Sequence, residues 1–372
     1  MAFLKVTPNE WLKARDFFAG LTKKQIGKDP KLNKKNQNGT QHSFLKIDNK
    51  ILALANRKKE GILGKGAYGL AKIAQTQDGT PYTIKIEKGT LRKPDNPELI
   101  AMKQADYYHG EVTRESKNKR YTLQPYIDGT ELTKLVKEKL SYTQKLIVAI
   151  KCCQAIQNDF HAKRVIHGDI KSRNFVGKIQ NQNIQMKAID LGFALVLPEN
   201  TDKIIYRSRG TEGYIAPEIH AKKEFSFSSD VYALGKFMRK SLRLPGILSK
   251  QMILDNSIKR CSLDQAITTL IHKLKSRDDL QEPTMQLIQT WENEQKSHPK
   301  PKCTNIDNKI KSNIQSTKGQ LTSTHHNNNS NLIAKTLVGS YLTILIVGCA
   351  LLPLSQGLVL GLAGCLVGLG VN

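Results

Sequence analysis

The stretch Ile166–Phe175 reads IHGDIKSRNF, and its polar residues are spaced for chemistry on a phosphoryl group. Asp169 is an acid able to take a proton from a hydroxyl, and Lys171, two places on, offsets the charge of a transferring phosphoryl. Asn174, and later Asp190 in MKAIDLGFAL, offer the hard oxygen ligands that magnesium prefers. Upstream, LGKGAYGLAKI sets Gly64, Gly66 and Gly69 between strand-like flanks, and residues without Cβ let backbone amides approach phosphate oxygens. A strand, YTIKIE, follows this turn instead of a helix, which argues against a dinucleotide site. Its Lys85 must meet an anion if it points inward, such as a nucleotide phosphate or a carboxylate; taken alone, it also fits an exposed strand position.

Elements must hold these groups. SYTQKLIVAIKCCQAIQNDFH has helical period, placing Leu146, Ile147, Ile150, Cys153 and Ile156 on one face, so a buried helix is expected just before the Asp169 loop. SFLKI and ILALA flank Asp48-Asn49-Lys50 and read as a hairpin. Residues 20–40 are Lys- and Asn-rich and read as a solvated linker or loose helix end, and residues 291–332 as a polar, disordered tether. His325-His326 in that Asn-rich tract reads as solvated filler more than as a metal pair.

Taken in order, these elements resemble the eukaryotic-like protein serine/threonine kinase family. Gly64-x-Gly66-x-x-Gly69 is similar to its glycine loop, Lys85 to its strand lysine, HGDIKSRN to its catalytic loop and Asp190-Leu191-Gly192 to its metal-binding acid element. GTEGYIAPE resembles the end of the activation segment, Asp230 in SSDVYALG the acid opening the central helix of the second lobe, and Arg260 the partner of Glu218. The resemblance covers about residues 57–290, and the HGDIK form is similar to the casein-kinase-like and vaccinia-related branch. It implies an α+β, two-lobed fold with a β-rich N-lobe and a helical C-lobe. ATP would bind with Mg2+ between the lobes, and a protein Ser or Thr hydroxyl would be the acceptor. Thr211 would brace the loop, Pro125 and Ile127 would meet adenine through a carbonyl and an amide, and Gln124 would stand behind it.

Some positions depart from the family pattern. Ala71 and Thr83 imply a roomier, slightly more polar purine pocket. Glu98, Glu111 and Glu115 all follow Lys85; Glu98, opening the helix-compatible ELIAMKQA, is preferred as its partner. Only 30 residues separate Asp230 from Arg260, so a helix that often docks substrates or regulators is expected to be reduced or missing. Gly168 stands where many of these kinases carry an arginine that grips a phosphorylated activation segment, which implies activity independent of that phosphate; Arg207 and Arg209 remain to hold one locally.

Charge and hydropathy bound the rest. There are 58 Lys and Arg against 32 Asp and Glu, with 11 basic and 4 acidic residues in 1–56 and 7 and 3 in 291–335, so the excess is spread and favours polyanions generally. No nucleic-acid-binding motif accompanies it, so no specific nucleic acid is expected. Six cysteines without metal spacing fit a reduced compartment, and no secretory leader is expected. Residues 336–372 carry no charge: Thr336–Leu354 spans 19 residues and Gly357–Val371 only 15, around a Pro353–Gly357 turn. A transmembrane hairpin is expected over 336–371, ahead of a single tilted span or a soluble segment, with the kinase domain facing the cytosol because Lys335 and the basic tether precede it.

Four segments are thus expected: a basic extension with a β-hairpin (1–56), the kinase-like domain (57–290), a polar basic tether (291–335) and the membrane hairpin (336–372). In style, the linkers, compact second lobe and uncharged tail resemble kinases that intracellular bacteria deliver into host cells. A pseudokinase scaffold and a kinase-fold enzyme acting on a small molecule or lipid are the competing readings. The four polar residues Lys85, Asp169, Asn174 and Asp190 argue against the first, and the intact GTEGYIAPE segment against the second.

Overall fold

A computed structural model describes residues 4–28, 30–32, 42–55, 61–66, 69–88 and 96–297. The first helix, α1 (Pro8–Ala19), starts with a reciprocal capping box between Thr7 and Glu10 and a proline in its first turn. Its Trp11, Ala14 and Phe18, at helical spacing, are buried against Leu32, Phe44 and Ala53. Then come α2 (Lys23–Lys28), β1 (Lys31–Leu32) and the expected hairpin, β2 (His42–Ile47) and β3 (Lys50–Ala55). Residues 20–40 are therefore not all linker: they hold α2 and β1, and Leu32 is fully buried, since an apolar residue paired to β2 outweighs the polar composition around it.

The strands β4 (Ile62–Gly66), β5 (Gly69–Gln75) and β6 (Pro81–Lys88) precede a short helix, α3 (Pro97–Gln104), capped by Asn96, and then β7 (Glu111–Arg114) and β8 (Lys119–Pro125). All eight strands form one antiparallel sheet in the order β1-β2-β3-β5-β6-β8-β7, with β4 also on β5. The N-terminal hairpin joins through Ala53 and Leu54, opposite Gln75 and Ala74 of β5. Leu45, Ile47, Leu52 and Leu54 bury against Ala74, Ile84, Tyr121 and Leu123, so the hairpin completes the hydrophobic core of this lobe.

The second lobe is mainly helical. In chain order it holds β9 (Thr130–Glu131), α4 (Leu132–Leu135), α5 (Tyr142–Asp159), β10 (Val165–Ile166), β11 (Phe175–Gln180), β12 (Asn183–Ala188), β13 (Leu195–Val196), β14 (Ile204–Ile205), α6 (Pro217–Lys222), β15 (Glu224–Phe225), α7 (Phe227–Lys240), α8 (Ile247–Met252), α9 (Leu263–Lys275) and α10 (Glu282–Ser297). The short strands pair as β12-β11-β9, β10-β13 and β14-β15. Helix α5 buries its expected face and also Val148, Ala149, Cys152 and Ala155, because β12 and α9 both pack on it. The segment between Asp230 and Arg260 keeps a helix, α8, but one of only six residues.

Helix α10 corrects the expected tether boundary: it runs on to Ser297, anchored by Ile288 and Trp291, each 4% exposed, with Lys151 4.8 Å above the indole. The remainder of the tether, His325-His326 and the hydrophobic stretch 336–372 lie outside the described residues, among which no helix is long and apolar enough to cross a membrane.

Candidate active site

The β4–β5 hairpin carries the glycine turn, with Gly66 opposite Gly69. Gly69 has φ +149°, and a Cβ there would stand 2.3 Å from the Ile86 carbonyl oxygen, so the close packing of β5 on β6 requires glycine. Gly64 opens onto empty space, leaving its backbone accessible.

Lys85 lies on β6, opposite Ala71 of β5 and Thr122 of β8. Its Nζ donates to Glu98 Oε1 at 2.8 Å and lies 3.9 Å from Asp190 Oδ1. Glu98, preferred from the sequence over Glu111 and Glu115, lies in the first turn of α3 and is brought to the lysine. Glu111 sits on β7 and Glu115 just beyond it. Burial works to lower the Lys85 ammonium, but Glu98, Asp190 and Glu87 outweigh it and hold the group above its ordinary value.

The loop after β10 gathers the other polar groups. Lys171 Nζ donates to Asp169 Oδ2 and to Thr211 Oγ1, both at 2.6 Å, and Thr211 Oγ1 donates to Asp169 Oδ1 at 2.6 Å. Asn174 Nδ2 donates to the Asp169 carbonyl at 2.8 Å and to Oδ2 at 3.0 Å. Below, Asp230 accepts from the His167 amide (2.8 Å) and the Gly168 amide (3.0 Å), so α7 fixes the loop backbone. Arg260, with no exposed side-chain surface, makes a two-pronged contact with Glu218, 2.7 Å on each arm, joining α6 to the segment before α9.

Gly168 has φ +75°, and a Cβ there would meet the Phe193 carbonyl oxygen at 2.6 Å, so a side chain at this position would be strained. Arg209 is engaged within the segment: its Nη2 donates to the Ala194 carbonyl at 2.8 Å and its guanidinium stacks 4.5 Å from the Tyr206 ring. Asp190 holds a left-handed φ of 66° after β12, and its Oδ1 accepts from the Gly192 amide. Its side chain is 47% exposed, in contrast to the buried Asp169.

A cation fits the Asn174–Asp190 pair by donor chemistry. With the Asn174 nitrogen given to Asp169, its amide oxygen remains for a metal, and Asp190 keeps an exposed carboxylate. Among the described residues no group of three His, Cys, Asp or Glu is placed to hold a metal ion. Pro125 ends β8 opposite Tyr82, and Ile127 follows it, partly buried against the second-lobe core.

Two charged residues escaped motif reading: Glu87 and Arg120. Period-two alternation in YTIKIE is the signal for Glu87, because residues two apart on a strand share a face with Lys85.

The family model for the protein kinase domain matches residues 57–307. Among curated proteins, the chain is 25% identical over 245 residues to an Arabidopsis thaliana leaf rust 10 disease-resistance locus receptor-like protein kinase-like 1.1, covering 60% of this chain and 36% of that protein. It is 28% identical over 190 residues to mouse serine/threonine-protein kinase Nek4 (47% and 23%), and 27% identical over 202 residues to Schizosaccharomyces pombe serine/threonine-protein kinase shk1/pak1 (50% and 30%). The chain thus spans well under half the length of each of these relatives.

Proposed function

The chain belongs to the protein kinase domain family, and we propose that it transfers the γ-phosphate of ATP to serine or threonine hydroxyls of proteins. The observation that carries this reading is the closed set Asp169–Lys171–Thr211, with Asn174 on the same carboxylate and Lys85 on Glu98. Gly64, Gly66 and Gly69 would line the phosphates, Lys85 would hold them, and Pro125 and Ile127 would meet the purine. Asp169 orients the acceptor hydroxyl and takes its proton as the oxygen–phosphorus bond forms and the bond to the leaving diphosphate breaks. Lys171 offsets charge on the passing phosphoryl, and Thr211 holds both side chains in register. Magnesium, which Asn174 and Asp190 would hold, supplies neutralisation of the phosphate charge.

A polypeptide acceptor is supported by the surface following Thr211: Glu212, Ile215, Pro217, His220, Tyr232 and Lys236 line an open cavity of about 540 Å³. Gly168 and the committed Arg209 support turnover without activation-segment phosphate. The uncharged residues 336–372, preceded by Lys335, support membrane attachment with the kinase domain on the cytosolic side, of a host cell if the chain is delivered into one.

The full chain incubated with magnesium ATP should phosphorylate itself or a general protein substrate, and Asp169→Ala and metal chelation should each abolish transfer. A parent rate equal to that of Asp169→Ala would refute the proposal. Loss of turnover in a Thr201→Ala/Ser208→Ala chain would refute phosphate independence, and full alkaline-carbonate extraction from membranes would refute the anchor.

A further inference from the structure

Lys85 has a second carboxylate neighbour on its own strand. Glu87, 8% exposed, comes to 3.5 Å of Lys85 Nζ through Oε1. Arg120 stands opposite Glu87 in the β6–β8 register and approaches Glu87 Oε2 with Nη2 at 3.3 Å and Nε at 3.4 Å. The Glu87 Cγ lies 3.3 Å from where a Cβ on Gly69 would stand, so this acid packs directly under the last glycine of the phosphate turn.

The charges decide what Arg120 is for. Glu98, Glu87 and Asp190 lie 2.8, 3.5 and 3.9 Å from one ammonium. With Asp190 given to magnesium, one lysine is still left between two carboxylates while it also receives a phosphate. A buried carboxylate below the glycine turn would moreover repel the anion bound above it. The Arg120 guanidinium, its side chain 13% exposed, supplies the second cation at the acid nearest the turn. Its contact with Glu87 leaves Glu98, at the shorter distance, as the partner that sets where Lys85 points.

We propose that Arg120 is a positioning residue for the nucleotide: by holding and neutralising Glu87, it keeps Lys85 on Glu98 and makes the glycine turn tolerant of phosphate. The inference rests on the nucleotide-binding reading above. It makes a charge prediction that a packing role does not.

The test uses the full chain, with ATP KM and kcat from transfer assays and magnesium ATP affinity from calorimetric titration. Arg120→Met should raise KM and weaken binding by about tenfold or more while kcat stays near the parent value. Arg120→Lys should stay close to the parent, and Glu87→Gln in the Arg120→Met background should restore affinity, since the negative charge that Arg120 held is gone. Unchanged affinity in Arg120→Met, or no rescue in the double variant, overturns the proposal. If Arg120→Met alone fails to fold, Arg120→Lys and the double variant decide it: parent-like affinity in both is required, and weak binding in either refutes it. A parent chain that neither binds nor turns over magnesium ATP refutes the kinase reading and this inference with it. A parent that does both, beside an unaffected Arg120→Met, refutes this inference alone.

Discussion

Lys171 Nζ donates to Thr211 Oγ1 at 2.6 Å across 40 residues of chain, and both side chains also hold Asp169, so the GTEGYIAPE segment is pinned to the loop after β10 at the acid proposed to take the hydroxyl proton. Thr211→Ala should therefore lower kcat by about tenfold or more, with little change in ATP KM, and Thr211→Ser should stay near the parent rate. Steady-state transfer assays check this; equal rates for the alanine and parent proteins would rule out the brace.

Gly168 offers a stability experiment. Its φ of +75° and the 2.6 Å approach of the Phe193 carbonyl predict that Gly168→Ala costs about 1–3 kcal/mol, and that Gly168→Arg costs more instead of creating a phosphate switch. Denaturant unfolding measures the cost. A fully stable Gly168→Arg chain activated by phosphorylation would contradict the geometry.

Arg260 is buried, Glu218 is half-buried, and two 2.7 Å contacts join them. Arg260→Ala, which strands the carboxylate, should destabilise by about 3–5 kcal/mol. Lysine should not substitute, because an ammonium cannot reproduce the planar fork. Thermal melting of the two variants tests both statements.

The N-terminal segment is part of the fold, and its aromatic anchor can be cut. Trp11, 5% exposed and edge-on to Phe44 at 5.2 Å, should cost about 3–5 kcal/mol when changed to alanine. Deleting residues 1–55 should expose the apolar face of β5, β6 and β8 and give an aggregating protein. A monomeric, fully active protein starting at residue 56 would show the hairpin to be dispensable.

Burial pushes the thiols of Cys152 and Cys153 well up, and a neighbouring sulfur adds to it in each case. The thiolate is the reactive form, so neither should alkylate in the native protein at mildly alkaline pH, and both should do so on unfolding. Peptide mass spectrometry reads the difference.

The chemistry and the order of its parts were legible in the sequence. Asp169, Lys171 and Asn174 belong to one short loop, whose spacing survives any packing around it, and Lys85 lies on a strand whose alternation is local. The helix α5 and the hairpin β2–β3 were legible for the same reason, since periodicity and turn residues act over a few positions. What lay beyond local pattern was partnership. Helix compatibility favoured Glu98 over Glu111 and Glu115, but its contact with Lys85 depends on where α3 packs, and Arg120 became a neighbour of Glu87 only through the β6–β8 register, 33 residues apart. Likewise, Leu32 is buried although its surroundings are polar, because a strand partner and an aromatic helix face arrive from elsewhere in the chain. Gly168 shows the division most clearly. Sequence identified an arginine missing from that position; the backbone, turned left-handed against the Phe193 carbonyl, decided that a side chain there would be strained.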